Sequence, residues 1–309
     1  MKLERLKVLV TGGAGFIGTH LVRRLSEICE VSIGDVVQAS SFTKENTKYV
    51  ALDITNYEQV RNTTKGMDVI FHMAARNFAK SIKDPRRDLE AGILGTFNVL
   101  EAARENQIKK VVYSSSYIVY GNVTQIPVSE EHVCRPISPY GVSKLAGESY
   151  CKVYNDLYGV KTVALRYTNV FGPGQEAEYI IPILIDKILK DENIIVFGDG
   201  KQTRDYVYVS DVVEATISAA EIDSAVGETI NIGSGSELRL IDLIGKIANI
   251  QGKKPKLTFK PKREGDMPRF AADISKAKKI LGYEPKISID IGLRETVKQQ
   301  IEATRGGVS

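Results

Sequence analysis

Residues 7–18 read KVLVTGGAGFIG: a β-branched apolar run stops at paired glycines, and helical spacing follows. The run is short and unbroken by polar residues, the pattern of a strand buried on both faces. Two sets of glycines fit the turn. Gly13, Gly15 and Gly18 match G-x-G-x-x-G, and Gly12, Gly15 and Gly18 match a three-residue-spaced version of it. Either way, missing Cβ atoms permit a tight turn, and the opening helix offers free N–H groups and a positive dipole end to a pyrophosphate. A strand before and a helix after is the setting in which such a turn binds a dinucleotide. The next strand-like run, CEVSIGD, ends in Asp35, 17 residues beyond Gly18. A carboxylate there accepts from both ribose hydroxyls and repels a 2′-phosphate, and no arginine follows it. The expected cofactor is therefore NAD. Asp53, closing the run YVALD, either faces the adenine end of that cofactor or is an ordinary turn residue.

The alternation continues outward. DVIFHMA, KVVYSSS and KTVALRYTN read as further strands, and GTHLVRRLSEI, ILGTFNVLEAARENQ and YGVSKLAGESYCKVYNDLYG carry helical periodicity. Such alternation argues for right-handed β-α-β crossovers and a parallel sheet covered on both faces. The expected fold is α/β: a Rossmann-type doubly wound sheet over residues 1–170, and a smaller C-terminal α/β part over 171–309 interleaved with it.

The bulk numbers narrow the class. A formal charge of +4 is spread over 42 basic and 38 acidic side chains, with no dense basic run, so neither nucleic acid nor membrane is an expected partner. Three separated cysteines suit reduced thiols, and no signal-peptide pattern opens the chain, so the expected location is the cytoplasm. Three histidines, none at ligand spacing with Cys or carboxylates, give no reason to expect a metal.

In SPYGVSKLAGE, residues 138–148, Tyr140 and Lys144 stand four apart, and on a helix their polar tips share one face. With 14 tyrosines in a lysine-rich chain such a pair also arises by accident, so its surroundings decide. TGGAGFIG, FHMAA, YSSSYIVYG, YGVSK, RYTNVFGPGQ, GDGKQTRDYVYVSDVVEA and REGDMPRFAADISKAKKILGY follow one another along the chain. In these motifs, across nearly its whole length, the chain resembles the extended short-chain dehydrogenase/reductase family, and within it the NAD-dependent nucleotide-sugar epimerases.

The resemblance implies that Tyr140 is the general base, Lys144 its electrostatic partner and Ser116 the third member, although Ser114 and Ser115 compete for that place. Ser116 is preferred because it lies four residues before Tyr120 of VYG. A phenol is too weak an acid to serve as a base at neutral pH unless positive charge lowers its pKa, and the Lys144 ammonium together with the positive nicotinamide ring is expected to do so here. The implied cofactor contacts are Gly12, Gly15, Phe16, Ile17, Gly18, Asp35, Asp53, Ile54, Ala74, Ala75 and Ser114, with Tyr140 and Lys144. Ser116, Asn169, Arg204, Arg263 and Asp266 are the implied substrate contacts. Both arginines would grip a diphosphate, for which a guanidinium fork is suited, and Asp266 would take ribose hydroxyls.

In the family's dehydratases the positions of Tyr117 and Ile118 are acidic. Here neither is, which leaves epimerisation: oxidation of a sugar hydroxyl to a ketone and return of hydride to the opposite face. The expected substrate is a UDP-hexose, with UDP-glucose and UDP-galactose as the favoured pair. The alternatives are a UDP-N-acetylhexosamine or UDP-uronate epimerase and a ketosugar reductase, and, in another class, a non-catalytic NAD sensor. Two departures stand out: Gly92 replaces the asparagine of N-x-x-G-T, and Arg76, in a shortened segment, replaces a frequent glutamine. Arg76 marks either an acidic sugar or a surface or structural position. By resemblance, helices around 88–106 and 139–158 would pair two copies as a four-helix bundle, unless their apolar surface is buried locally.

Overall fold

The computed structural model describes residues 1–38, 46–262 and 267–306. The chain opens as β1 (Lys7–Thr11), α1 (Phe16–Leu25), β2 (Glu30–Asp35), β3 (Thr47–Ala51), α2 (Tyr57–Thr63) and β4 (Val69–His72). Then come α3 (Phe78–Lys83), α4 (Pro85–Leu89), a π-helical turn at Glu90–Leu94, α5 (Gly95–Glu105) and β5 (Lys110–Ser116). A 3₁₀ turn (Tyr117–Tyr120), α6 (Pro139–Tyr158) and β6 (Thr162–Tyr167) complete this half.

The rest runs β7 (Asn169–Phe171), α7 (Ile180–Leu189), β8 (Asn193–Phe197), β9 (Thr203–Arg204), β10 (Tyr206–Tyr208) and α8 (Val209–Glu221). It ends with β11 (Thr229–Ile232), β12 (Leu238–Arg239), α9 (Leu240–Gln251), β13 (Lys256–Lys260), α10 (Ser275–Leu281) and α11 (Ile289–Gly306).

Seven parallel strands form the main sheet in the order β11-β6-β5-β4-β1-β2-β3. Strand β11, from beyond residue 171, is its outer member, so the two parts of the chain interleave. Successive side chains alternate faces. Val8 and Val10 join one core with α1 and α8, while Leu9 joins another with Leu100, Val111 and Tyr113. This burial on both faces explains the unbroken apolar reading of β1.

Strand order reverses between β1 and β4, and that reversal positions the site. Loops leaving neighbouring strands in opposite directions open a crevice at the carboxyl ends of a parallel sheet. Thr11 pairs with Gly34 and His72, and His72 with Tyr113, so β1, β2 and β4 end close together, while β5 and β6 run three residues further, to the Ser116–Tyr167 pair.

The helix carrying the tyrosine–lysine pair has clear ends. Ser138 caps α6, accepting from the Gly141 N–H at 3.2 Å, Pro139 opens the first turn, and Gly159 stops it in the left-handed region at φ +69°.

Candidate active site

The glycine turn takes its shape from two close approaches. Gly12 sits at φ +67°, and a Cβ there would lie 2.6 Å from the Ala74 backbone. A Cβ on Gly18 would lie 2.2 Å from the Gly12 carbonyl oxygen, so only glycine lets α1 close onto the turn. Helix α1 has no side-chain cap at Gly15, which leaves its first N–H groups for a ligand. The fit to a dinucleotide pyrophosphate therefore rests on a cradle that any side chain would fill.

Asp35 ends β2 beside this turn, accepting from Ala14 N–H at 3.0 Å and Val37 N–H at 3.1 Å. The turn, Phe16, Ile17, Asp35, Asp53 and Ile54 all line one cleft of about 1150 Å³, which continues past Ala74 and Ala75 to Ser114, Tyr140 and Lys144. Asp53 also behaves as a turn residue, taking the Thr55 N–H and hydroxyl at 2.9 and 2.7 Å. The volume exceeds what a drug-sized ligand needs.

Strand alternation separates the three serines. Ser114 and Ser116 share one face of β5 and Ser115 takes the other, where its hydroxyl reaches Glu148, although all three border the cleft at the strand end. The Ser116 side chain faces the Tyr140 hydroxyl closely enough to favour its ionised form. Lys144 donates to the Ser114 carbonyl oxygen at 2.5 Å, lies 3.4 Å from the Ser114 hydroxyl and sits 5.7 Å from the centre of the Tyr140 ring.

The expected lowering of the phenol is not what the chain by itself produces. Loss of solvation pushes Tyr140 up to about 12 and Lys144 down to about 8. Both shifts have one cause: charge is expensive where water is scarce. Asp88 adds to the rise at Tyr140, and the Lys144 ammonium is spent on a carbonyl rather than on the phenol.

Behind the pair lies a polar core absent from the expectations. Glu148, one turn beyond Lys144 on α6, takes both Arg166 Nε and Nη2 at 2.9 and 2.7 Å, and Arg166 Nη1 reaches the Tyr120 hydroxyl at 2.9 Å. This bolts α6 to β5 and β6. His72, fully enclosed, joins Thr11 at 2.7 Å and Thr96 at 3.1 Å. Thr11 accepts from Ala74 N–H and Thr96 donates to Gly92 O, so the proton belongs on Nε2 and the ring is neutral. Burial holds its pKa down near 3.

The glycine at 92 has a steric reason. It lies in the π-helical turn, and a Cβ there would come within 2.6 Å of Ser143 Cβ. Ser143 fills the place and donates to buried Asp88 at 2.8 Å. A π turn shifts the register of side chains by one residue and gathers at functional sites, yet EAGIL carries no signal for it.

At the far end of the cleft, Tyr117 donates to Asn169 at 3.1 Å and feels the Arg204 guanidinium. Arg204 donates to Met267 O at 2.7 Å. Asp205 beside it accepts from Ser234 N–H and hydroxyl, both at 2.7 Å, and from Gly235 and Ala272 N–H, which fixes this corner. Arg263 and Asp266 lie outside the described residues.

A model of the NAD dependent epimerase/dehydratase family matches residues 8–233. The chain belongs to the NAD-dependent epimerase/dehydratase family. A Methanocaldococcus jannaschii relative in the family is 40% identical over 299 residues, 94% of this chain and 97% of its own. The UDP-glucose 4-epimerase of Thermotoga maritima, solved with UDP-glucose, superposes with a TM-score of 0.91 at 34% identity, covering 97% of this chain and 100% of that one. The UDP-glucuronic acid 4-epimerase of Bacillus cereus, solved with UDP-glucuronic acid and NAD, also gives 0.91, at 33% identity over 96% and 100%. NAD is the cofactor of this family's epimerases, and the glycine cradle and Asp35 are the residues that fit it. Among the described residues no His, Cys, Asp and Glu cluster could hold a metal, and no helix is long and apolar enough to cross a membrane.

Proposed function

We propose that this NAD-dependent nucleotide-sugar epimerase inverts carbon 4 of a UDP-hexose, with UDP-glucose and UDP-galactose as the favoured pair. The observation that carries the reading is the convergence of Tyr140, Ser116 and Lys144 in the cleft that also holds the glycine turn. NAD, when bound, accepts and returns hydride and brings a positive charge on its oxidised ring. Tyr140 takes the proton of the sugar 4-hydroxyl, and Ser116 holds the same oxygen and passes the proton on. Lys144, tied to β5, keeps a cation beside the phenol and donates to the cofactor's ribose. Returning the proton to the 4-keto oxygen completes the cycle once hydride arrives on the other face.

For the ketone to present both faces, the sugar must turn while the nucleotide stays. We place the diphosphate on Arg204 and Asn169, with Arg263, and the nucleotide ribose on Asp266, so remote binding energy holds the complex together. Tyr117 and Ile118 offer no carboxylate, which disfavours water elimination. Residues 1–170 act as the NAD-binding unit and 171–309 as the sugar-nucleotide unit.

We infer a homodimer through α5 and α6, working in the cytoplasm. Leu94, Val153 and Leu157 are 44%, 42% and 72% exposed, and Phe97 meets Tyr150 at 5.7 Å on the same side. Exposed large apolar side chains on these two neighbouring helical segments are what an interaction surface requires. Three free cysteines suit a reducing compartment.

Incubating purified protein with UDP-galactose and resolving the products tests the reading. Formation of UDP-glucose without added reductant is expected; failure to convert any UDP-hexose at any NAD level removes it.

A further inference from the structure

We propose that Arg76 anchors a carboxylate carried by the sugar, so that the cleft takes nucleotide uronates in addition to neutral hexoses. The inference rests on the reading of this cleft as a nucleotide-sugar site.

Arg76 leaves the β4 end and lines the cleft that holds Tyr140 and Lys144. Its Nε is shut off from solvent and has no hydrogen-bond partner among the described residues. A buried polar atom in that state calls for an explanation, since unmatched burial of a charged group is costly. The acids around it are engaged elsewhere. Glu178 accepts from Asn77, the residue after Arg76, and pairs with Lys80 at 3.6 Å. Glu176 is turned to the Tyr179 hydroxyl. Asp88 senses the charge of Arg76 but takes the Ser143 hydroxyl, and no described ion pair joins it to Arg76.

The other cleft cations have partners: Lys80 pairs with Glu178, Arg87 with Asp84 at 3.4 Å, Lys144 donates to the Ser114 carbonyl, and Arg204, at the diphosphate end, to Met267 O. Arg76 therefore presents a guanidinium whose Nε has no hydrogen-bond partner among the described residues and which no described ion pair engages, with Asp88 the carboxylate that feels its charge. Its position favours the sugar over the diphosphate: Asp88, whose carboxylate feels Arg76, accepts from Ser143, the residue before Lys144 on α6, at the Tyr140 end of the cleft. A hydroxyl would satisfy Nε alone, whereas a carboxylate matches the fork and its charge.

Titration calorimetry of the NAD-loaded protein with UDP-glucuronate and UDP-glucose reads the proposal independently of turnover. In Arg76→Gln the ratio of affinities, uronate over hexose, should fall about a hundred-fold, the scale of losing one partner of a desolvated charge pair. Arg76→Lys should recover part of it, and NAD released from each protein should stay at the wild-type amount. The proposal is overturned if wild type binds UDP-glucose but not UDP-glucuronate or UDP-galacturonate. It is equally overturned if the ratio is unchanged in Arg76→Gln, or if NAD is lost with the arginine, which would make the anion a cofactor phosphate. Absence of turnover on every sugar, with the affinity ratio behaving as stated, would count against the epimerase reading while supporting this one.

Discussion

Lys144 donates its Nζ to the carbonyl oxygen of Ser114 at 2.5 Å, which ties an ammonium on α6 to the end of β5. The tie holds the cation beside the half-buried Tyr140 without bonding to it. Helix and strand together thus fix the distance between base and cation, and the charge needed to ionise the phenol must come partly from the bound cofactor.

Replacing Tyr140 by Phe removes the proton acceptor and little volume. Turnover should fall about 10³-fold, as for loss of a general base, while calorimetry should still show NAD and UDP-sugar binding. Retained turnover would move the base elsewhere.

Lys144 should lower stability below pH 8. Its folded pKa, about 8 against 10.5, means that between those values the unfolded chain binds more protons. Stability then rises with pH across this window, by about 3 kcal/mol for such a shift, and the penalty is present in full below pH 8. Denaturant titrations at pH 8 and 10 should show about 2 kcal/mol of this gain in wild type and not in Lys144→Met, which should also be inactive. Parallel slopes in the two proteins would contradict the buried charge.

His72 acts at the acid end. Held near pH 3 against a usual 6.5, it stays neutral in the fold while the unfolded chain takes up a proton. Stability present above 6.5 is lost as pH falls toward 3, about 2 kcal/mol of it by pH 5. Comparing unfolding of wild type and His72→Gln at pH 7 and 5 checks this, and only wild type should show that loss.

Glu148 and Arg166 are both enclosed. Glu148→Ala would leave a buried guanidinium without its carboxylate, at a cost of about 3–5 kcal/mol. Chemical denaturation should register it, and Tyr140 chemistry should suffer as α6 loosens. A change below 1 kcal/mol would mean that water replaces the carboxylate.

For the paired helices, light scattering should give about twice 34.1 kDa, and Leu157→Glu should halve it. A monomeric wild type would sink the dimer.

The fold was legible where backbone geometry leaves few options. KVLV, the glycines and Asp35 sit within one β-α-β unit, and Tyr140 and Lys144 need only helical spacing to meet. The serine could be chosen by its distance from Tyr120, but its face follows from strand alternation once β5 is placed. Other features depend on residues far apart in sequence. Thr11, His72 and Thr96 meet because β1, β4 and α5 adjoin, and Asp88 meets Ser143 through a π turn without a sequence signature. The rise that burial gives Tyr140 in the chain alone was not legible for a related reason: spacing reveals the neighbouring cation, while the water lost around the hydroxyl appears only in the packed molecule.

The central claim is that hydride leaves carbon 4 and comes back to it within one closed cycle. UDP-galactose deuterated at carbon 4, incubated with purified enzyme in ordinary water, measures this directly by mass spectrometry of the sugar. The account predicts UDP-glucose that keeps its deuterium at carbon 4 with no net change in NADH. Label washed out to solvent, or product formed only with stoichiometric consumption of NADH, would contradict it.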